Sequence, residues 1–342
     1  MTSPETYHLS AEQSDEAFIE ACFRILLRRQ PDESGRRHFL TSLGNGLSRL
    51  EVISAFLSSP EYAEREKASF WVPAGHFYSP WPSRAEVEEH RTKPPRKDAM
   101  AAIDLQDEAQ WRLMEEFGRT CADLPFRDEA VPGLRYRYVN SSYPPGDSIP
   151  LCGMIQHLRP KRIIEVGCGN SSCLTLDTND IFFQSAIELT FIEPYPDFFH
   201  SLIRPEEKTR VRLLAQRLQD VPVAEFERLE ARDILFIDST HVSKLNSDVN
   251  YFLFEIFPRL RPGVFIHIHD VFYPFEYPVS WLEEGRGWNE QYILRAFLQY
   301  NDQFKIRFFN TYLFAKHPEW FRQHLPRCLD NPGGSIWLEK VR

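Results

Sequence analysis

Paired cysteines are missing from this chain. Its six cysteines (Cys22, Cys121, Cys152, Cys168, Cys173 and Cys328) form no CxxC pair and no repeating spacing. That excludes a disulfide framework or a zinc cluster and points to a reducing, cytoplasmic setting. Long apolar runs are absent as well: none approaches the ~20 residues needed to cross a bilayer. The opening MTSPETYHLSAEQSDE has no basic stretch followed by an apolar one, so no signal peptide is expected. An excess of positive charge is lacking too, with 40 Lys and Arg against 49 Asp and Glu. The net charge of −9 argues against nucleic acid or an anionic membrane as the main partner. No internal repeat or low-complexity tract appears.

What is present suffices for a sizeable core. At 342 residues, 42% hydrophobic and 14% aromatic, the chain has room for an α/β domain of roughly 200 residues and a smaller unit. We divide it into a helical module (1–65), a linker with a helical lead-in (66–135) and an α/β domain (136–342). In the first part Phe18, Ile19, Cys22, Phe23, Leu26 and Leu27 recur at helical spacing. Pro31-Asp32 starts a second helix carrying Phe39, Leu40 and Leu43. Ser48-Arg49-Leu50-Glu51 is a capping box opening a third, which buries Val52, Ile53, Phe56 and Leu57. The linker holds Pro73, Pro80, Pro82, Pro94 and Pro95, with Trp71, Phe77, Tyr78 and Trp81 expected to dock rather than float.

The run from Phe23-Arg-Ile-Leu-Leu-Arg-Arg-Gln-Pro-Asp32 to Phe56-Leu-Ser-Ser-Pro-Glu-Tyr62 resembles the DUF4214 family, a small all-α module. The resemblance covers about fifty residues. It implies an attachment found on glycosyltransferases, glycan-modifying enzymes and secreted repeat proteins. It carries no evident chemistry, and we expect residues 15–65 to serve packing, a protein partner or self-association.

From residue 147 onward strands and helices alternate, the signature of a parallel sheet with crossovers. A helix at 147–158 precedes strands near 161–166, 189–193, 210–215, 233–238 and 263–269. Two more, near 305–316 and 334–340, would form an antiparallel edge. The first strand runs into Glu165-Val-Gly167-Cys-Gly169-Asn-Ser171-Ser-Cys. Glycines two apart there let backbone N–H groups approach a ligand at the carboxyl end of the strand. Glu193, in Phe-Ile-Glu-Pro-Tyr-Pro, stands at the end of the second strand, where a carboxylate accepts a ribose diol.

The fourth strand, Asp233-Ile-Leu-Phe-Ile-Asp238-Ser-Thr-His241, delivers Asp238 to the same edge, while Asp233 at its other end reads as a solvated or capping residue. The fifth, Gly263-Val-Phe-Ile-His267-Ile-His269-Asp270, places His267 and His269 on one face, with His269 and Asp270 at the ligand end and His267 in the core or supporting. Asp238, His269 and Asp270 thus converge from adjacent strands. They suit a divalent cation, Mg²⁺ or Mn²⁺, that would hold and acidify a hydroxyl. They equally suit a hydrogen-bonded acid–imidazole cluster needing no ion, and both readings stand open. His241 could take the hydroxyl proton, as the side chain that titrates near neutrality. An aromatic stretch follows (Phe272, Tyr273, Phe275, Tyr277, Trp281, Trp288), fit to stack on a sugar or simply to cover the sheet.

Together these motifs resemble class I S-adenosylmethionine-dependent methyltransferases, within methyltransferase family 24. The resemblance rests on Pro144-Pro-Gly-Asp147, Glu165-Val-Gly-Cys-Gly-Asn-Ser-Ser172, Ile192-Glu-Pro-Tyr-Pro196, Phe236-Ile-Asp-Ser-Thr-His-Val242 and His267-Ile-His-Asp-Val271. It implies a doubly wound, mostly parallel seven-stranded Rossmann-like sheet behind a small amino-terminal all-α domain. It also implies S-adenosylmethionine held by Glu165, Gly167, Gly169 and Ser171, with Glu193 on the ribose and Asp220 near the adenine. Asp238-Ser-Thr-His241 further resembles the Asp-x-x-His of metal-dependent sugar O-methyltransferases, whose fifth strand ends in two acidic residues. Here His269-Asp270 departs from that pair. The expected activity is O-methylation of a saccharide or glycan hydroxyl, with catalysis by His241, Asp238 and His269. A hydroxylase-like enzyme on the same fold and a non-catalytic scaffold are the competing readings.

Overall fold

The computed structural model describes residues 13–69, 72, 74–93, 100–208 and 211–342. Trp71, Pro73, Pro94 and Pro95 of the linker lie outside the described residues. The chain divides into two compact units, Met1–Glu86 and Val87–Arg342.

The first unit is helical. Ser14 caps α1 (Asp15–Leu26), its side chain accepting from the Ala17 N–H, and Asp32 caps α2 (Glu33–Gly44) in the same way through Gly35. Helix α3 (Arg49–Leu57) starts with the expected capping box: Ser48 N–H donates to Glu51 Oε2 at 2.8 Å, and Glu51 N–H donates to Ser48 Oγ at 3.3 Å. Phe18, Ile19, Cys22 and Phe23 of α1 close on Val52 and Phe56 of α3 to form the core. Phe56 stacks on Phe39 with ring centroids 4.4 Å apart. Leu57, expected inside, is exposed at the last turn of α3, and α4 (Pro60–Ser69) follows. Phe77 and Tyr78 do not dock as expected but stay exposed. They pack against each other at 4.3 Å, and His76 stacks on Phe77 at 4.2 Å, so local ring contacts replace burial.

Helix α5 (Arg84–Thr92) crosses the division, and α6 (Asp107–Thr120) and α7 (Pro145–Leu158) lead into the sheet of the second unit. In chain order there follow β1 (Arg162–Val166), α8 (Asn170–Phe183), β2 (Glu188–Ile192), α9 (Asp197–Leu202), β3 (Arg212–Leu214), β4 (Ile234–Ile237), α10 (Asp248–Tyr251) and β5 (Phe265–His269). Then come α11 (Val279–Glu283), α12 (Glu290–Leu298), β6 (Phe304–Phe309), α13 (Asn310–Lys316), α14 (Pro318–His324), α15 (Arg327–Asp330) and β7 (Ser335–Lys340). The seven strands lie in the order β3-β2-β1-β4-β5-β7-β6, with only β7 antiparallel to its neighbours. The fold is the doubly wound sheet that the alternating pattern predicts. Strands β4 and β5 are buried throughout, as strands covered on both faces should be. The order reverses between β1 and β4, which opens a crevice at their carboxyl ends.

Two details of the second unit also depart from the sequence reading. The strand expected over 305–316 stops at Phe309, and α13 begins at Asn310. The Asn310 amide is buried and donates to Gly146 O (2.7 Å) and Asp147 Oδ1 (2.9 Å), a pair of long-range bonds that pins the turn. Asp233 is a cap but not a solvated one. It is buried and accepts from the Lys161 and Arg162 N–H groups at 2.9 Å each, tying the starts of β1 and β4 together. Before the sheet, Arg135 is buried against Asp177, Asp180 and Glu207 and bonds all three carboxylates.

Candidate active site

Strands β1 and β4 end side by side because the Asp238 N–H donates to Val166 O at 2.9 Å. The next residue of the first strand, Gly167, turns at φ +80°, and a Cβ placed there would lie 2.2 Å from Asp238 O. Only glycine fits that approach. Gly169 differs: its backbone is extended (φ −172°) and an added Cβ would meet nothing nearer than Phe198 at 3.4 Å.

Glu165 is fully buried beneath this turn. Its Oε1 accepts from Ser171 and Ser172 hydroxyls at 2.7 Å each, while Oε2 has no partner among the described residues. Burial pushes the carboxyl up to about 7, with the two serines pulling the other way. Glu193, just beyond β2, accepts from Tyr195 N–H (2.8 Å) and Cys168 N–H (3.3 Å), which fastens the glycine turn to the β2 exit.

A cleft of about 370 Å³ lies over these ends, walled by Gly167, Glu193, Tyr195, Leu218, Asp238 and Asp248 among others. Asp220 is not on that wall. Its carboxylate pairs with Arg217 at 2.8 Å, and Arg217, Leu218 and Gln219 face the cleft instead.

On the other side of Asp238 sits an acid–imidazole cluster. His241 Nε2 is 3.4 Å from Asp238 Oδ1 and 3.5 Å from Asp270 Oδ2; His269 Nε2 is 3.5 Å from Asp270 Oδ1. The other nitrogen of His241, Nδ1, lies 2.7 Å from Glu290 Oε2 at the start of α12. His269 Nδ1 points towards Asp147, 4.0 Å away, and Asp147 itself accepts from Asn310, Ser335 and the Gly334 N–H. Thus the four residues expected at this edge do meet, and two more carboxylates join them. His241 and Asp270 both hold left-handed backbones (φ +59° and +56°), a strain of the kind kept at functional sites.

Charge follows this geometry. Burial disfavours the His241 cation, but its bonds to Asp238 and Glu290 outweigh burial and hold the ring well above its ordinary range. Burial would raise Asp238, yet His269 and His241 hold it low. Asp270 goes up with burial despite the two imidazoles, and burial likewise pushes Asp147 up to about 6. His267 is a core residue: it stacks on Phe236 at 4.1 Å, and burial keeps it neutral.

The cation reading does not fit this arrangement. Among the described residues no three His, Cys, Asp or Glu side chains are grouped to hold a metal ion. The two oxygens of Asp270 each face a different imidazole, and the point that Asp270 Oδ2 shares with Asp238 Oδ1 is occupied by His241 Nε2.

Glu290 carries no local sequence signal for this site, and Asp147 stands in the sequence only as the end of the Pro144-Pro-Gly-Asp147 motif, with no role at the site given to it. Glu290 stands far along the chain from His241 and looks like an ordinary first-turn helix residue; Asp147 looks like another. The aromatic stretch does pack here. Trp288 lies over His241 at 4.2 Å, Trp281 meets Trp288 at 5.1 Å, and the Arg286 guanidinium sits over both tryptophans.

Residues 164–271 match the family 24 model described as a methyltransferase domain, and residues 1–66 match DUF4214, a domain of unknown function. An uncharacterized protein of Archaeoglobus fulgidus is 32% identical over 186 residues, covering 53% of this chain and 83% of the relative. Among solved structures, the chain is similar to the S-adenosylhomocysteine-bound methyltransferase PaMTH1 of Podospora anserina at 16% identity. That match covers 77% of this chain and 99% of PaMTH1, with a TM-score of 0.37. It is also similar to the O-methyltransferase TomG of Streptomyces achromogenes, in complex with S-adenosylmethionine, at 15% identity. There 75% of this chain and 96% of TomG are covered, with a TM-score of 0.37. The segment that carries Gly167, Glu193, Asp238 and the β5 exit is a family 24 methyltransferase domain, and the chain belongs to the family of its archaeal relative: it is a methyltransferase with an amino-terminal DUF4214 domain.

Proposed function

We propose that this enzyme transfers the methyl group of S-adenosylmethionine to a hydroxyl, in the first instance of a saccharide or glycan. One observation carries the proposal: the cleft at the β1/β4 switch point shares Asp238 with the acid–imidazole cluster, so donor and proton acceptor meet at one residue. In this reading the free Oε2 of Glu165 receives the donor's ammonium, Gly167 lets its methionine end lie against the backbone, and Glu193 takes the ribose diol. Ser171 steadies Glu165, and Arg217 to Gln219, rather than Asp220, wall the adenine end.

The reaction is a direct displacement. The acceptor oxygen attacks the methyl carbon as the C–S bond breaks, S-adenosylhomocysteine leaves, and the hydroxyl proton passes to neutral His241 Nε2. Asp238 and Asp270 flank that nitrogen and stabilise the imidazolium that forms, so the enzyme contributes positioning and proton removal. No step passes through a cation. His269 holds Asp270 in place.

The saccharide preference rests on the tryptophan pair beside His241, whose faces suit sugar rings, and the DUF4214 domain is read as a docking module for a partner or a second copy. All six cysteines are free and none of the described helices is long and apolar enough to cross a membrane, which suits a reducing cytoplasmic setting. Titration calorimetry with S-adenosylmethionine tests the donor site: micromolar binding that Glu165→Ala and Glu193→Ala weaken is expected. Absence of binding in the wild type would sink the proposal and leave a scaffold. A binding enzyme that releases no S-adenosylhomocysteine with any of a panel of glycosides would sink the acceptor class.

A further inference from the structure

At the exit of β4 the His241 ring meets only Asp238, 3.4 Å from Nε2, and nothing there reaches Nδ1. The group that does so comes from the start of α12. Glu290 Oε2 lies 2.7 Å from Nδ1, and Ser239 Oγ donates to that same oxygen at 3.0 Å. The backbone is clamped from the same element, since the Asn289 and Glu290 N–H groups both donate to His241 O, at 3.0 and 3.1 Å. His241 N–H in turn donates to Ser239 Oγ at 2.9 Å, and Trp288 covers the face of the ring. The Glu290 side chain is 1% exposed and its Oε1 has no partner among the described residues, so the carboxylate is sunk into the protein for one contact beyond Ser239. A buried carboxylate with so few donors is costly unless the proton it faces is always there.

We infer that Glu290 is a positioning residue: it keeps the His241 proton on Nδ1 and turns Nε2 towards Asp238 and Asp270, where the acceptor hydroxyl must lie. The inference rests on the role given to His241 above and adds the group that sets its tautomer. A carboxylate cannot donate to Nδ1, and with Glu290 Oε2 at 2.7 Å against 3.4 and 3.5 Å for Asp238 and Asp270 on Nε2, the neutral ring keeps its proton on Nδ1, where the contact is shortest. The lone pair then sits on Nε2, the nitrogen at the Asp238 edge of the cleft. The left-handed backbone of His241 follows from the same clamp, since it brings the carbonyl under the first turn of α12 while the ring reaches back to Glu290.

The test is nitrogen-15 NMR of the full chain labelled at histidine, at alkaline pH where the ring is neutral, with two-bond couplings reporting which nitrogen carries the proton. The wild type is expected to show His241 almost wholly as Nδ1–H. In Glu290→Gln the ratio of tautomers should fall at least about tenfold, the cost of exchanging a charge-assisted hydrogen bond for a neutral one. Glu290→Asp, which keeps the charge, should recover most of the wild-type ratio, and it carries the test if the glutamine variant does not fold. A dominant Nε2–H form in the wild type, or an unchanged ratio in Glu290→Gln, would overturn the inference. A purely packing role for Glu290 would move melting temperature but not tautomer. Failure of the underlying reading looks different: the tautomer stays as predicted while the wild type binds no S-adenosylmethionine in calorimetry, and the positioning role then falls because there is no transfer to serve.

Discussion

Replacing Gly167 by alanine tests the close approach on which the donor site depends. At φ +80° an L-residue pays roughly 1–2 kcal/mol for the left-handed conformation alone. The added Cβ would stand 2.2 Å from Asp238 O, where real contacts do not fall below 3.0 Å, so the two strand ends must part by 3.0 − 2.2 = 0.8 Å. The obstructing atom is backbone, held by the Asp238 N–H to Val166 O bond, and it cannot swing aside as a side chain would. Overpacking of this kind costs about another 1–3 kcal/mol, giving about 2–5 kcal/mol in all. The shift falls on Asp238 and through it on His241, so donor affinity and turnover should drop together. Gly169→Ala is the control, because its backbone is extended and its nearest neighbour is a ring edge at 3.4 Å. Urea unfolding and S-adenosylmethionine calorimetry on both variants decide the matter. The reasoning is refuted if Gly167→Ala loses less than about 1 kcal/mol, or if Gly169→Ala loses as much.

Three further outcomes are expected. Glu165 has its folded carboxyl raised from 4.5 to about 7, so the native state holds the extra proton and stability falls as pH climbs between those values. Glu165→Gln should therefore gain up to about 3 kcal/mol over the wild type in urea unfolding at alkaline pH and nothing below pH ~4, while losing donor binding; an equal gain at both pH values would exclude linkage as the cause. His241 is held protonated by its carboxylates, so methyl transfer should rise with pH above the ordinary imidazole range as the ring becomes able to accept a proton, and His241→Gln should cost about 10²–10⁴ in rate with that limb gone; a flat profile in the wild type would exclude the imidazole as base. Arg135→Ala strands three carboxylates, two of them buried, and should cost about 3–5 kcal/mol in thermal or urea unfolding; a loss under about 1 kcal/mol would show that the network relaxes into water.

Much of this molecule is legible in its sequence because the relevant physics is local. Alternation of short apolar runs with helical spacing announces a parallel sheet, and the carboxyl ends of its strands must then hold Gly167, Glu193, Asp238 and His269. The capping box at Ser48 and Glu51 is a four-residue pattern and is present. Failures begin where the deciding contact is distant in the chain. The strand run through Phe309 looks continuous in periodicity, and what ends it is Asn310 reaching Gly146 and Asp147. Gly167 and Gly169 look alike in a motif, but the neighbour that makes one of them irreplaceable belongs to another strand.

The acid–imidazole cluster shows the same limit in its chemistry. Strand-end register brings Asp238, His269 and Asp270 to one edge, and from spacing alone a cation and a hydrogen-bonded network are equally good occupants. Side-chain geometry separates them, because Asp270 divides its oxygens between His241 and His269, and the second nitrogen of His241 is taken by Glu290. A carboxylate supplied from α12 thus does for the imidazole what no residue near it in sequence can do. If Glu290 fixes which nitrogen faces the acceptor, the neutral His241 ring keeps its lone pair on Nε2, and the two strand-end aspartates beside it stabilise the imidazolium once the proton arrives.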